Sequence, residues 1–214
     1  MKKIIQLSLV FMLIFTGGCG MSKEKENGKI DASSMPETEA FKDEFTRGFM
    51  ASNKEVSEGY YSFESKTKGY TMLFPRNAVI SKGNYEIQED KYETLTFGEK
   101  LEDKNISYYI KLTFEDNSNT ADTDIKLRQL SKSTGYSGNF ESEDINENTV
   151  YYSSDKTEET DYYFYLAYIK SKESDKAIRF TYFSNCSEEE KDCKLLSKDV
   201  DERINSIIES INLK

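Results

Sequence analysis

The chain has 214 residues, 29 basic against 39 acidic side chains and no histidine, giving a formal charge of −10. This balance argues against nucleic acid as a partner, because such binding neutralises phosphates with clustered Lys and Arg. The missing histidine excludes Ser-His and Cys-His nucleophile pairs, and no Gly-x-Ser-x-Gly or phosphate-cradling glycine loop is present.

Lys2 and Lys3 lead into an apolar run from Ile4 to Phe15 that includes Gln6 and Ser8. Its twelve positions fall short of the roughly 20 that a bilayer-spanning helix needs, so it reads as the core of a secretory signal. The following Thr16-Gly17-Gly18-Cys19 resembles the lipobox of bacterial lipoproteins; Gly17, Gly18 and Cys19 fit its small-small-Cys part, and Thr16 stands where the family has an aliphatic residue. The resemblance implies a signal peptide over residues 1–18 and diacylglyceryl transfer to Cys19. It also implies palmitate-type acylation and a lipid anchor at the extracytoplasmic face of the cell membrane. Two chains, at about 0.8 kcal/mol per buried CH₂, anchor stably where one is marginal. Loss of Lys2 and Lys3 with the signal leaves 27 basic against 39 acidic residues, a formal charge of −12. The remaining 196 residues suffice for one domain with a substantial core.

Residues 19–34 are polar and aperiodic, a flexible tether with a root-mean-square span of about 20 Å. A helix is expected over residues 35–51: Ser33 or Ser34 caps it, Pro36 suits its first turn, and Glu37 and Glu39 complement its positive end. Phe41, Phe45 and Phe49 then share one narrow face. The rings either pack onto the domain or form a partner-binding face for helix-in-groove recognition by an envelope protein.

A single α+β domain is expected over residues 56–214. Strands are expected at 60–64, 70–74, 85–88, 92–97, 106–114, 138–143, 149–153, 161–170 and 177–184. Ile106, Tyr108, Ile110, Leu112 and Phe114 alternate with polar positions as in a half-buried strand. The unbroken apolar run Tyr162 to Ile169 suits a central strand covered on both faces. A helix is expected at 120–131, with Ile125, Leu127 and Leu130 apolar and Gly135 beyond its end. A C-terminal helix opens at Ser197 and carries the stripe Val200, Ile204, Ile207, Ile208 and Ile211. The fold class is therefore α+β, a mostly antiparallel central sheet with flanking helices and a C-terminal helix. The element order, with Gly-Tyr-Thr-Met-Leu-Phe-Pro at Gly69 to Pro75, resembles the α/β/α sandwich of PsbP and Mog1-type proteins. The whole chain also resembles the uncharacterised Lys-, Glu- and Tyr-rich lipoproteins of Bacillus and its prophages (YokB-like), which carry no assigned activity; only the role of Cys19 transfers.

Cys186 and Cys193 flank a short acidic loop, and a disulfide is the natural reading for an oxidising compartment. No cofactor or metal is expected: Asp116 to Asp124 has alternating oxygen ligands but lacks the glycine and terminal glutamate of an EF-hand, and a loop capping the next helix accounts for it. Fifteen tyrosines without a tryptophan fill a core or build an aromatic binding face. No catalytic set is assigned. The leading expectation is a binding or modulating module for an envelope partner, with prophage-related exclusion as one form. The alternative is capture of a small ligand or wall glycan, which a deep aromatic-lined pocket away from Phe41 would favour. A carboxylate-dependent hydrolase is third and needs two acids about 5 to 9.5 Å apart across one cleft.

Overall fold

The computed structural model describes residues 35–157, 162–187, 193 and 198–214. The signal 1–18, Cys19, the tether to residue 34 and Ser197 lie outside the described residues. Within them the strands form two antiparallel sheets. The small sheet has the order β1 (Tyr60–Glu64), β2 (Tyr70–Pro75) and β11 (Asn212–Leu213). The large one runs β3 (Val79–Ile80), β5 (Tyr92–Leu101), β6 (Ile106–Asp116), β10 (Lys176–Cys186), β9 (Tyr162–Ser171), β8 (Asn148–Thr157) and β7 (Glu141–Ile145), with β4 (Glu86–Gln88) also paired to β5. The fold is α+β, a central antiparallel sheet flanked by helices, as the strand pattern anticipated. β3 and β11 were not foreseen, since two-residue strands carry too little periodicity to be seen.

The segment ahead of the sheets departs from expectation. Instead of one helix over 35–51 there are two single turns, α1 (Glu39–Lys42) and α2 (Glu44–Arg47). Asp43 separates them: it is extended, at φ −76° and ψ 117°, and its carboxylate accepts from Thr46 N at 2.7 Å, capping the second turn. An isolated helix of this length is marginal, whereas each buried ring contributes about 1.5–3 kcal/mol, so packing overrides the regular helix. Phe41 meets Tyr61 edge-on at 4.7 Å, Phe49 stacks on Phe63 at 5.4 Å, and both are buried. Backbone bonds from Glu64 N to Phe49 O and from Ala51 N to Ser62 O, each 2.9 Å, tie the strap across β1.

The large sheet's first face holds the core. Leu95, Phe97, Ile110, Leu112, Phe114, Ile178 and Phe180 are fully buried there. Rings step from the small sheet onto it through Tyr70–Phe114 at 5.5 Å and Phe74–Phe97 at 4.8 Å. Helix α4 (Lys198–Glu209) buries Val200, Ile204, Ile207 and Ile208, and Ile211 of the expected stripe is buried just beyond its end. The helix is locked by Arg203 Nη1 donating to Glu99 Oε2 at 3.1 Å, with Tyr108 OH donating to the same oxygen at 2.8 Å.

Helix α3 (Thr123–Thr134) covers the second face, beginning three residues later than expected because a 3-10 turn occupies Ser118–Ala121. Asp122 caps it by accepting from Ile125 N at 3.0 Å. The helix turns Lys126, not Ile125, toward the sheet, and Lys126 Nζ donates to Glu115 Oε2 at 2.9 Å. Tyr168 OH donates to Thr120 O at 2.7 Å. The helix stops at Gly135, whose φ of +75° suits a left-handed cap and whose N–H bonds Ser131 O.

Candidate ligand-binding cleft

Because α3 stops there, no described element covers the end of the second face nearest the start of β9. Strand alternation and register set Tyr109 of β6, Phe183 of β10 and Tyr162 and Phe164 of β9 on this face. Tyr109 and Phe183 stack at 5.3 Å, Phe183 and Phe164 lie 6.3 Å apart, and Tyr162 is 6.0 Å from Phe183. The loop after α3 raises a wall at one end of this row. Tyr136 OH donates to Asn139 O at 2.8 Å and accepts from Ser153 Oγ, which fixes its ring edge-on to Phe164 at 5.8 Å and to Phe140 at 5.4 Å.

Between wall and floor lies a cleft of about 470 Å³, lined by Thr134, Tyr136, Ser137, Ser154, Tyr162, Phe164 and Phe183 together with the backbone of Gly135 and Gly138. That volume is within the small-ligand range. Its rings are half-buried, and Tyr109 beside it is 48 % exposed. Gly98 of β5 stands opposite Tyr109, where a Cβ would come within 2.5 Å of Tyr108 O, so β5 places no side chain beside the ring. Burial and the neighbouring Tyr162 raise the Tyr109 hydroxyl above its ordinary range. The described lining carries no carboxylate, lysine or arginine, and its rings and hydroxyls can stack and hydrogen-bond a ligand.

The other candidates have structural surroundings. Cys186 and Cys193 are joined by a disulfide with a Cα separation of 5.7 Å. Phe41 and Phe49 face the core and Phe45 is half-buried against Phe49 and Tyr85, each at 5.3 Å, so the three rings do not form the open partner-binding face that one helix would give. Asn117 and Asp122 are occupied in capping, the role read for the Asp116 to Asp124 loop. Fully buried Glu93 accepts from Lys66 N at 3.1 Å and from Tyr85 OH at 3.1 Å, and burial raises its pKa. A second depression of about 340 Å³ gathers Glu58, Glu99 and Asp103 with Arg76 and Arg203. There Glu99 is held by Arg203 and Tyr108, and Arg76 by Glu55 at 3.3 Å.

Sequence reasoning weighed a tyrosine-built face but read the Tyr108-Tyr109 pair as favouring a tyrosine-filled core, and it did not single out Tyr136, Phe140, Phe164 or Phe183. The available signal was Tyr109 itself, an aromatic on the strand face that also carries exposed Lys111, facing a glycine.

Fold and cleft together define a small α+β domain with a ligand-sized aromatic depression. The chain belongs to the YvcA/Mog1p family described as "Putative lipoprotein YvcA", which matches residues 36–212. It is similar to the "Putative lipoprotein YvcA" of Bacillus subtilis (strain 168), 27% identical over 232 aligned positions that cover 99% of this chain and 96% of that protein. Among solved structures it is similar to a crystal structure from Bacteroides thetaiotaomicron VPI-5482, with a TM-score of 0.43 and 14% identity. That match covers 74% of this chain and 49% of the other, so the chain spans about half its length. Family membership sets the chain among lipoproteins, a membrane-associated class. No helix among the described residues is long and apolar enough to cross a membrane.

Proposed function

We propose that this protein is held through lipidated Cys19 at the extracytoplasmic face of the cell membrane. There its domain acts by binding, not by catalysis, through the aromatic cleft at the end of α3. The anchoring part of the reading is supported by the signal pattern ending at Cys19 and by membership of a lipoprotein family. The binding part is carried by one observation: aromatic rings in mutual contact stay half-buried around a ligand-sized depression instead of being sealed by the helix beside them. The ligand is sought among wall fragments in preference to an envelope protein. The surface expected for helix-in-groove docking has two of its three rings in the core, whereas the cleft lies away from that strap.

The test uses the full-length protein in detergent, sedimented with purified protein-free wall sacculi. Retention of the native chain and its loss in Phe183→Ser, with circular dichroism unchanged, is the expected result. Equal retention of both forms, or none by the native chain, would overturn the proposal. Anchoring is read separately: Cys19→Ala should move the protein from the membrane fraction, and unchanged fractionation would reject that part alone.

A further inference from the structure

Resting on the reading of the cleft as a binding site, we infer that its ligand is an uncharged saccharide chain laid across the row of rings from Tyr136 to Tyr109. The first argument is charge. In a chain where 32% of residues are charged, the described cleft lining has none. Among the described lining residues an ion of either sign would lose hydration without meeting a counter-charge, and the chain's net negative charge further repels anions.

The second argument is the mixture of surfaces. A pyranose presents C–H faces and hydroxyl edges, and so needs apolar area beside small hydrogen-bonding groups. The rings of Phe164, Phe183 and Tyr162 supply the first; Thr134, Ser137 and the exposed backbone of Gly138 supply the second. Thr134 Oγ1 donates to Leu130 O at 2.9 Å and can still accept, and a purely apolar ligand would cover Ser137 and the Gly138 backbone without pairing them.

The third argument is shape. Tyr136, Phe164, Phe183 and Tyr109 follow one another at steps of 5.8, 6.3 and 5.3 Å, crossing from the loop over β9 and β10 to β6. Tyr109 ends the row 48 % exposed, with no side chain from Gly98 beside it. An open-ended row suits a chain that passes across it. A quaternary ammonium group would instead want ring faces converging on one point, and Tyr109 and Phe183 lie only 26° from parallel.

Binding by the full-length protein in detergent is read by tyrosine fluorescence, undisturbed by tryptophan, and by saturation-transfer NMR. The probes are an N-acetylglucosamine tetramer and its monomer, polyglycerol phosphate, choline and an apolar decapeptide. The tetramer should bind saturably, more tightly than the monomer and independently of salt. It should bind roughly three- to tenfold more weakly to Tyr109→Ser and to Phe183→Ser, with the melting curve of the exposed-site variant Tyr109→Ser unchanged. Binding of the phosphate polymer, choline or the peptide at these rings without binding of the tetramer would overturn the saccharide assignment and leave the cleft a binding site. Tetramer binding unaltered in both variants would place the ligand elsewhere and overturn it too. Silence of every probe together with failed wall sedimentation would remove both readings.

Discussion

Replacing Phe49 by alanine separates a ring that builds the core from one kept for a partner. Phe49 is 2% exposed, stacks on Phe63 at 5.4 Å, meets Phe45 and Tyr85 edge-on at 5.3 and 5.4 Å, and lies under Lys66 Nζ at 4.5 Å. Truncation of such a ring costs about 3–5 kcal/mol, the upper half applying where aromatic pairs are lost as well. We take about 4 kcal/mol, a large part of the 5–15 kcal/mol typical of a whole domain. Phe41, equally buried but with one ring partner among the described residues, should cost about 3 kcal/mol, and half-buried Phe45 about 2. For a domain of this size, about 4 kcal/mol corresponds to a fall in melting temperature of about 8–16 °C. Urea unfolding of the full-length chain, followed by circular dichroism, reads the series directly. A surface ring reserved for a partner would change stability by less than about 0.5 kcal/mol on truncation. A value below about 1 kcal/mol for Phe49→Ala would therefore refute the packing of the strap described above.

Arg203→Ala leaves Glu99, only 8% exposed in its side chain, without its cation; a loss of about 3 kcal/mol in urea unfolding is expected, partly restored by adding Glu99→Gln. Removing the Cys186–Cys193 bridge as the double serine variant should cost about 2–3 kcal/mol from loop entropy, and an unchanged unfolding midpoint would count against it. Two glutamates should titrate on opposite sides of the ordinary value when followed by carboxyl-carbon NMR. Glu64, bonded by Lys214 and Lys68, is held down to about 2, so its contribution is present above the ordinary glutamate range and is lost as pH falls toward 2. It should amount to less than about 1 kcal/mol, since solvent screens the site. Glu93 is raised by burial, so its contribution is present below the ordinary value and is lost as pH rises through its folded pKa. An ordinary titration of either residue would refute the corresponding environment.

The strands that build the core were legible where one face differed from the other. In β6 the alternation of Ile106, Tyr108, Ile110, Leu112 and Phe114 matches a buried face, and the isoleucine stripe of α4 is buried throughout. The strap was less legible because spacing of four is shared by a continuous helix and by two turns with a break. What decides between them is Asp43 capping Thr46 and the position of Phe63, and neither is a local signal. In β9 the run Tyr162 to Ile169 reads as covered on both faces, yet only its second half is. Leu166 and Tyr168 are fully buried on the α3 side, while Tyr162 and Phe164 on that same side are half-buried. Sequence shows which side chains are apolar, not how far the covering helix reaches. The extent of cover follows from where Gly135 ends α3 and where Lys126 and Glu115 anchor it.

That stopping point connects fold to function. Sealing half-buried Phe164 and Phe183 beneath another turn of helix would add roughly half of the about 1.5–3 kcal/mol that full burial of a ring contributes, so the open face is held against an available gain in stability. The chain meets the resulting exposure with devices that act locally. Tyr136 is fixed by bonds to Asn139 and Ser153 and so cannot collapse onto the floor, and the opposite end stays clear because Gly98 brings no side chain. A high negative charge keeps such a surface soluble without placing a charge among the described cleft residues. Rings left open, a wall held upright and a described lining without charge are each explicable alone as tolerated irregularities. Their coincidence around one depression is what a site for an uncharged, partly apolar chain requires.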